Sequence, residues 1–241
     1  MIQKKEKEQT EIKNNNKEAK FVSFYKIMNK LNKKVKIRKV KMNNLQKETL
    51  NKIKTKALEN HVPIVSDIVL NKILEILKDK KVVNFLEIGA AVGYSGICFS
   101  ETLENGGIID TIERNENRIA EAKENIKSMN FEYEKIKLFE GDAVDILPTF
   151  DKKYDVVFID AAKGKYPFFL KEALRMLKED GIIFADNILY KGYVLGDYNE
   201  HKHRTAVRHL REYIKEISEN PNLNTQILEI GDGLAITKFS K

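Results

Sequence analysis

From residue 82 to the end of the chain, short apolar runs alternate with amphipathic stretches, and this alternation leaves few folds open. VVNFLEI (82–88), GIIDTIE (107–113), KIKLFEG (135–141), YDVVFID (154–160) and GIIFADN (181–187) read as strands. YSGICFSETLE (94–104), NENRIAEAKENIKSM (115–129), a short AVDIL (143–147), PFFLKEALRMLK (167–178) and HRTAVRHLREYIKEI (203–217) read as helices. Apolar strands separated by helices imply a parallel sheet covered on both faces. TQILEI (225–230) and LAITKF (234–239), joined around Gly231-Asp232-Gly233, add an antiparallel hairpin at the sheet edge. The expected fold class is α/β: a mostly parallel seven-stranded sheet with a C-terminal antiparallel hairpin and helices on both faces. There is no internal repeat.

The 241 residues give room for one such domain and an arm. Residues 1–20 are polar and charged and are expected to form a disordered basic tail. Residues 21–60 are expected to form a basic helical arm. Within it, FVSFYKIMNKLNKK (21–34) reads as a short helix, KVKIRKVKM (34–42) as an exposed strand or a basic loop, and 45–58 as an amphipathic helix on Leu45, Leu50, Ile53 and Ala57. A further helix is expected from Ser66 to about Leu77, with Asp67 in its first turn, inside a sheet domain spanning 61–241. Residues 1–60 hold 18 Lys/Arg against 6 Asp/Glu, a net of +12, while the rest of the chain has a net of −5. Such asymmetry suits a polyanion partner, and it equally suits a solvated lysine-rich tail. Cys98 is the single cysteine, which excludes an internal disulfide and a multi-thiolate metal site. We expect no secretory leader and no membrane span, and a cytoplasmic location.

LEIGAAVGYS (86–95) is a strand, a glycine-bounded turn and a helix start. Gly89 and Gly93 allow a ligand close to the backbone, at the strand ends where open α/β sheets bind. Ala91 stands where the dinucleotide fingerprint needs glycine, so the turn alone is equally a tight packing turn. Glu113 ends the next strand, 24 residues after Gly89. A carboxylate there accepts hydrogen bonds from ribose hydroxyls, or else sits favourably at the start of the following helix. The third strand ends in Gly141-Asp142-Ala143, where Asp142 suits an exocyclic amine and Ala143 leaves room for a flat ring. Three successive strand tips then serve three parts of one nucleoside ligand.

The fourth strand ends in Asp160 and the fifth in Asp186-Asn187, 26 residues apart. Neighbouring strands lie about 4.8 Å apart, so these side chains converge. Two carboxylates and an amide oxygen repel one another unless a cation lies between them, and an all-oxygen set selects a hard ion such as Mg²⁺. Alternatively each aspartate caps the helix after it. Lys163 follows Asp160 by three residues. A divalent cation nearby disfavours its ammonium form, which makes it a candidate general base; its alternative is an ion pair to Asp160. Lys165 is read as solvated.

LEIGAAVGYS, TIE, GDA, FIDAAKGKY, ADNILYKG and GDGLAI together resemble the cation-dependent O-methyltransferases, the family of the catechol and caffeoyl-CoA O-methyltransferases, over roughly residues 43–240. The resemblance implies a Rossmann-like class I methyltransferase fold and S-adenosylmethionine in the nucleoside site. It implies Asp160, Asp186 and Asn187 as Mg²⁺ ligands, and Lys163 as the base, with Asp160 beside both cofactor and reaction. It places Val65 in HVPIV, and Tyr94 and Ser95 in GYS, among the cofactor-binding residues with Gly89, Glu113, Asp142 and Ala143. The family is usually homodimeric.

Within that family the chain looks most like the bacterial tRNA 5-hydroxyuridine methyltransferases, through HVPI, TIERNENR, FIDAAKGKY, DNILYKG and the basic helix that follows. The resemblance implies methylation of the 5-hydroxyl at the tRNA wobble position, whose neighbouring 4-oxo group offers a second oxygen. HKHRTAVRHLREY (201–213) sets Arg204, Arg208 and Arg211 on one helical face after His201 and Lys202, an expected RNA contact. That face is also readable as solvated or as a dimer contact. The other enzyme reading is a small-molecule O-methyltransferase acting on catechols or hydroxycinnamoyl thioesters, and the non-enzymatic one is an RNA-binding protein on a methyltransferase fold.

Overall fold

Strand β1 (Val82–Ile88) lies inside the sheet, with Phe85, Leu86 and Ile88 wholly buried. The computed structural model describes residues 42–131, 134–196 and 201–240. The expected tail over 1–20, helix over 21–34 and all but the last residue of the 34–42 segment lie outside them. Before the sheet come helices α1 (Asn44–Glu59) and α2 (Asp67–Ile76). Asn43 caps α1 by accepting from Gln46 N while the Gln46 side chain returns to Asn43 N, so the helix start is local chemistry. Leu50, Ile53 and Ala57 are its buried face, as their spacing predicts, whereas Leu45 is 70% exposed.

After β1 the chain runs through α3 (Tyr94–Phe99), β2 (Leu103–Glu113), α4 (Glu116–Ser128), β3 (Ile136–Glu140), α5 (Ala143–Ile146), β4 (Tyr154–Ile159), α6 (Tyr166–Met176), β5 (Leu177–Ala185), α7 (Arg204–Glu219), β6 (Leu223–Leu228) and β7 (Leu234–Phe239). One seven-stranded sheet results, in the order β3-β2-β1-β4-β5-β7-β6. The first five strands pair in parallel, and β7 joins antiparallel to both β5 and β6. The core includes Phe85 stacked on Phe99 at 5.1 Å and Phe158 edge-on to Phe99 at 5.1 Å. Among the described residues no helix is long and apolar enough to cross a membrane.

Two junctions differ most from the sequence expectation. The helix expected over 94–104 ends at Phe99, and β2 starts at Leu103. Ser100 Oγ donates to Ile97 O and Thr102 Oγ1 to Phe99 O, each at 2.7 Å, which draws carbonyls out of the helical ladder. Likewise β5 begins at Leu177, four residues before Gly181, and a register shift separates Tyr154↔Leu177 from Val156↔Ile182. Lys178 there ion-pairs with Asp155 at 2.8 Å, and that contact lies between elements far apart in the chain.

The strand order sets the site. Chain direction across the sheet reverses between β1 and β4, the place where an open α/β sheet leaves a crevice. Ile88 pairs with Ile159, and Ile159 with Ala185. Gly89, Asp160 and Asp186 therefore leave three neighbouring strands side by side.

Candidate active site

The turn after β1 is shaped by two glycines and one strained alanine. Gly89 has φ +104°, and a Cβ on it would overlap the carbonyl oxygen of Asp160, so the β1 and β4 ends approach as only glycine permits. Ala91 adopts φ 45°, a left-handed conformation costing about 1–2 kcal/mol outside glycine. Its N–H donates to Glu113 Oε2 at 2.9 Å. Glu113 Oε1 accepts from Arg114 N and Asn115 N at 3.0 and 2.9 Å. The buried Glu113 carboxylate thus clamps the turn and the start of α4, at the tip position where a ribose is expected.

Asp142 caps α5, its Oδ1 accepting from Val144 N at 2.9 Å. Its Oδ2 pairs with Arg114 at 3.0 Å, and the Val144 N–H holds its carboxyl below the usual range. Ala143 is buried at the start of α5. Tyr94 and Ser95, both buried, open α3, and buried Val65 precedes α2. All but Val65 follow the carboxyl ends of strands β1 to β3.

Asp160 and Asp186 follow β4 and β5, and Asp186 N donates to Ile159 O at 3.0 Å. The Asp186 side chain is 1% exposed. Burial, then the neighbouring Asp160 charge, push its carboxyl up to about 7. Its Oδ1 accepts from Asn187 N at 2.7 Å. Asn187 takes φ 56°, a conformation that asparagine tolerates better than most residues. Among the described residues no three His, Cys, Asp or Glu side chains gather as a metal cluster. The candidate set is smaller, two carboxylates and an amide, which suits an ion that keeps several waters. The donor chemistry fits a cation there: the Asp186 carboxylate is disfavoured first by burial and then by the Asp160 charge, and a cation would relieve both.

Lys163 lies in a 3₁₀ turn (Lys163–Lys165) between β4 and α6. Its Nζ donates to Asp160 Oδ1 at 3.0 Å, to Tyr166 OH at 2.8 Å and to Asp186 O at 3.4 Å. Tyr166, wholly buried, in turn donates to Asp186 O at 2.7 Å. The amine therefore makes the ion pair to Asp160 that is the alternative reading of their three-residue spacing, and it also reaches the backbone carbonyl of Asp186.

Arginine placement is mixed. His201, Lys202, Arg204 and Arg208 are exposed, with Arg208 3.8 Å from Glu212. Arg211 instead turns onto the loop after β5, its guanidinium donating to Val194 O at 3.1 Å, to Tyr193 O at 3.4 Å and to Gly196 O. It holds that loop. Sequence reasoning missed Glu87, Tyr166 and His209. Glu87 carried a signal, an acid inside the apolar run VVNFLEI. It is wholly buried and accepts from Thr111 Oγ1 at 2.6 Å, while its Oε1 has no hydrogen-bond partner.

The O-methyltransferase family model matches residues 32–239, nearly the whole chain. The chain is a member of the O-methyltransferase family. This methyltransferase is 31% identical to tapetum-specific methyltransferase 1 of Arabidopsis thaliana, covering 75% of this chain and 78% of the relative. It is 31% identical to the catechol O-methyltransferase of Niastella koreensis, covering 64% and 73%. Among solved structures it matches a Staphylococcus aureus protein assigned as a caffeoyl-CoA O-methyltransferase, with TM-score 0.72, 34% identity and coverage of 79% and 92%. It also matches a Bacillus cereus O-methyltransferase in complex with S-adenosylhomocysteine, with TM-score 0.70, 25% identity and coverage of 80% and 91%. The chain thus belongs to a family of S-adenosylmethionine-dependent enzymes and has the Rossmann-like methyltransferase fold expected from its sequence.

Proposed function

We propose that the protein moves the methyl group of S-adenosylmethionine to one of two adjacent oxygens on a small phenolic substrate, a catechol or a hydroxycinnamoyl thioester. The observation that carries this reading is the Asp160–Lys163–Asp186 arrangement, with one amine held between the Asp160 carboxylate and the backbone carbonyl of Asp186. The relatives named for catechol and caffeoyl-CoA support the substrate class, and they move it ahead of the tRNA 5-hydroxyuridine reading.

In this reading Gly89, Glu113, Asp142 and Ala143 hold the nucleoside, and Val65, Tyr94 and Ser95 the methionine part. Asp160, Asp186 and Asn187 would hold a divalent cation, which would supply Lewis acidity to adjacent substrate oxygens. Lys163 Nζ receives the proton of the attacking hydroxyl. Tyr166 orients Lys163: its own hydrogen is committed to Asp186 O, so its oxygen faces the amine as an acceptor. The remaining contribution is proximity, since methyl transfer needs the acceptor oxygen in line with the sulfonium methyl.

The exposed basic segment at 201–208 keeps the tRNA reading as the second one. Purified protein assayed with catechol, caffeoyl-CoA and tRNA carrying 5-hydroxyuridine, each with and without EDTA, separates them. We expect EDTA-sensitive methylation of a small phenol, restored by Mg²⁺. Turnover of tRNA alone would reverse the order of the two readings. EDTA-insensitive turnover would remove the cation. A homodimer is proposed with this reading, and molar mass in solution checks it.

A further inference from the structure

The turn that carries Lys163 has no buried residue of its own. A local bond closes it, Lys165 N to Ala162 O at 2.9 Å. A second comes from α7, 45 residues away in sequence, where His209 Nδ1 meets the carbonyl oxygen of Gly164. A carbonyl only accepts, so Nδ1 carries the hydrogen. Nε2 then faces Arg208 Nη2 at 3.2 Å and accepts from it, with Glu212 4.0 Å away. The Arg208 guanidinium, which can only donate, thus favours the tautomer with Nε2 as acceptor, the one that donates to the turn. The helix behind His209 is fixed by buried Val207, Leu210, Tyr213, Ile214 and Ile217. Tyr213 also meets Tyr166 edge-on at 5.4 Å, next to the hydroxyl that receives the Lys163 amine.

We propose that His209 is a positioning residue for Lys163, holding the 163–165 turn through the Gly164 carbonyl so that the amine stays between Asp160 and Asp186. This rests on the reading of Lys163 as the base. Displacements of about 1 Å in a reacting group cost up to about a hundredfold in rate, so a single bond on this turn has leverage on turnover without touching substrate.

The test compares His209→Phe, which keeps a ring and loses the donor, with His209→Asn, which keeps a donor near Nδ1. His209→Ala stands in for the phenylalanine variant if the ring is not accommodated. With catechol as acceptor, we expect His209→Phe to lower kcat about tenfold or more at little-changed KM, and His209→Asn to recover most of it. Independently of turnover, the rate of Lys163 acetylation by acetic anhydride, read by peptide mass spectrometry, should rise in His209→Phe and return toward wild type in His209→Asn. Equal effects of phenylalanine and asparagine, or no effect of either on labelling, would overturn the proposal. Absence of catechol turnover in the wild type would count against the substrate reading alone, because the labelling comparison still decides the role of His209.

Discussion

Glu87 sits wholly buried under the start of α3, where a Cβ on Gly96 would come within 2.9 Å of its Oε2. Burial is the main cause that pushes its carboxyl up to about 7, against an ordinary value of 4.5; Ser95 and Thr111 partly offset it. The folded protein therefore binds a proton that the unfolded chain has released above about pH 4.5. The stability contributed by this residue is complete below the unfolded value and is lost as pH rises through about 7, a span worth on the order of 3 kcal/mol. Urea unfolding of ligand-free wild type and Glu87→Gln from pH 4.5 to 8 should show wild type losing ground with rising pH. Parallel profiles would mean that Glu87 is ionised in the fold. At Lys163 the expectation concerns rate. Lys163→Met should lower kcat by about 10²–10⁴-fold while calorimetric affinity for S-adenosylhomocysteine is kept. The lysine was legible from its spacing to Asp160. Its bond to Tyr166 depends on a rotamer that no spacing specifies.

Turns and loops carry the next set of consequences. At Gly89 both the φ of +104° and the closeness of the Asp160 carbonyl exclude a side chain. Gly89→Ala should lower stability by roughly 2–4 kcal/mol and weaken S-adenosylhomocysteine binding together, read by thermal melts and calorimetry. The loop after β5 has a different support. Tyr190, Lys191 and Gly192 all take positive φ, Lys191 N donates to Asp232 Oδ1 at 2.6 Å, and Arg211 gathers three of the loop's carbonyls. Arg211→Met should speed proteolysis within 190–196 while the melting temperature falls by only a few degrees. The 3.6-residue period put Arg211 on a face with Arg204 and Arg208, but not where its guanidinium points. A long side chain near a carbonyl-rich loop takes those carbonyls, and the loop arrives there through tertiary packing.

Across the whole molecule, the expected cofactor contacts come from segments that no local structure joins, the ends of β1, β2, β3 and β4. A ligand bridging them couples the parallel half of the sheet. S-adenosylhomocysteine at about 100 times its Kd should add about 2.7 kcal/mol and raise the melting temperature by roughly 5–10 °C. Hydrogen exchange should slow at 89–95, 113–115, 142–145 and 160–166 together. Protection confined to one of these segments would contradict a shared site.

The sequence by itself determined the succession of strands and helices, the acids and glycines at the strand tips, and the pairing of Asp160 with Lys163. These are legible because apolar periodicity, capping and turn chemistry act over a few residues. Only the tertiary structure decided that β1 lies between β2 and β4, that Gly89 closes on Asp160, that Glu113 clamps the turn before it, and that His209 reaches Gly164. Strand order and long-range hydrogen bonds follow from how buried faces fit one another, and that information is spread over the whole chain.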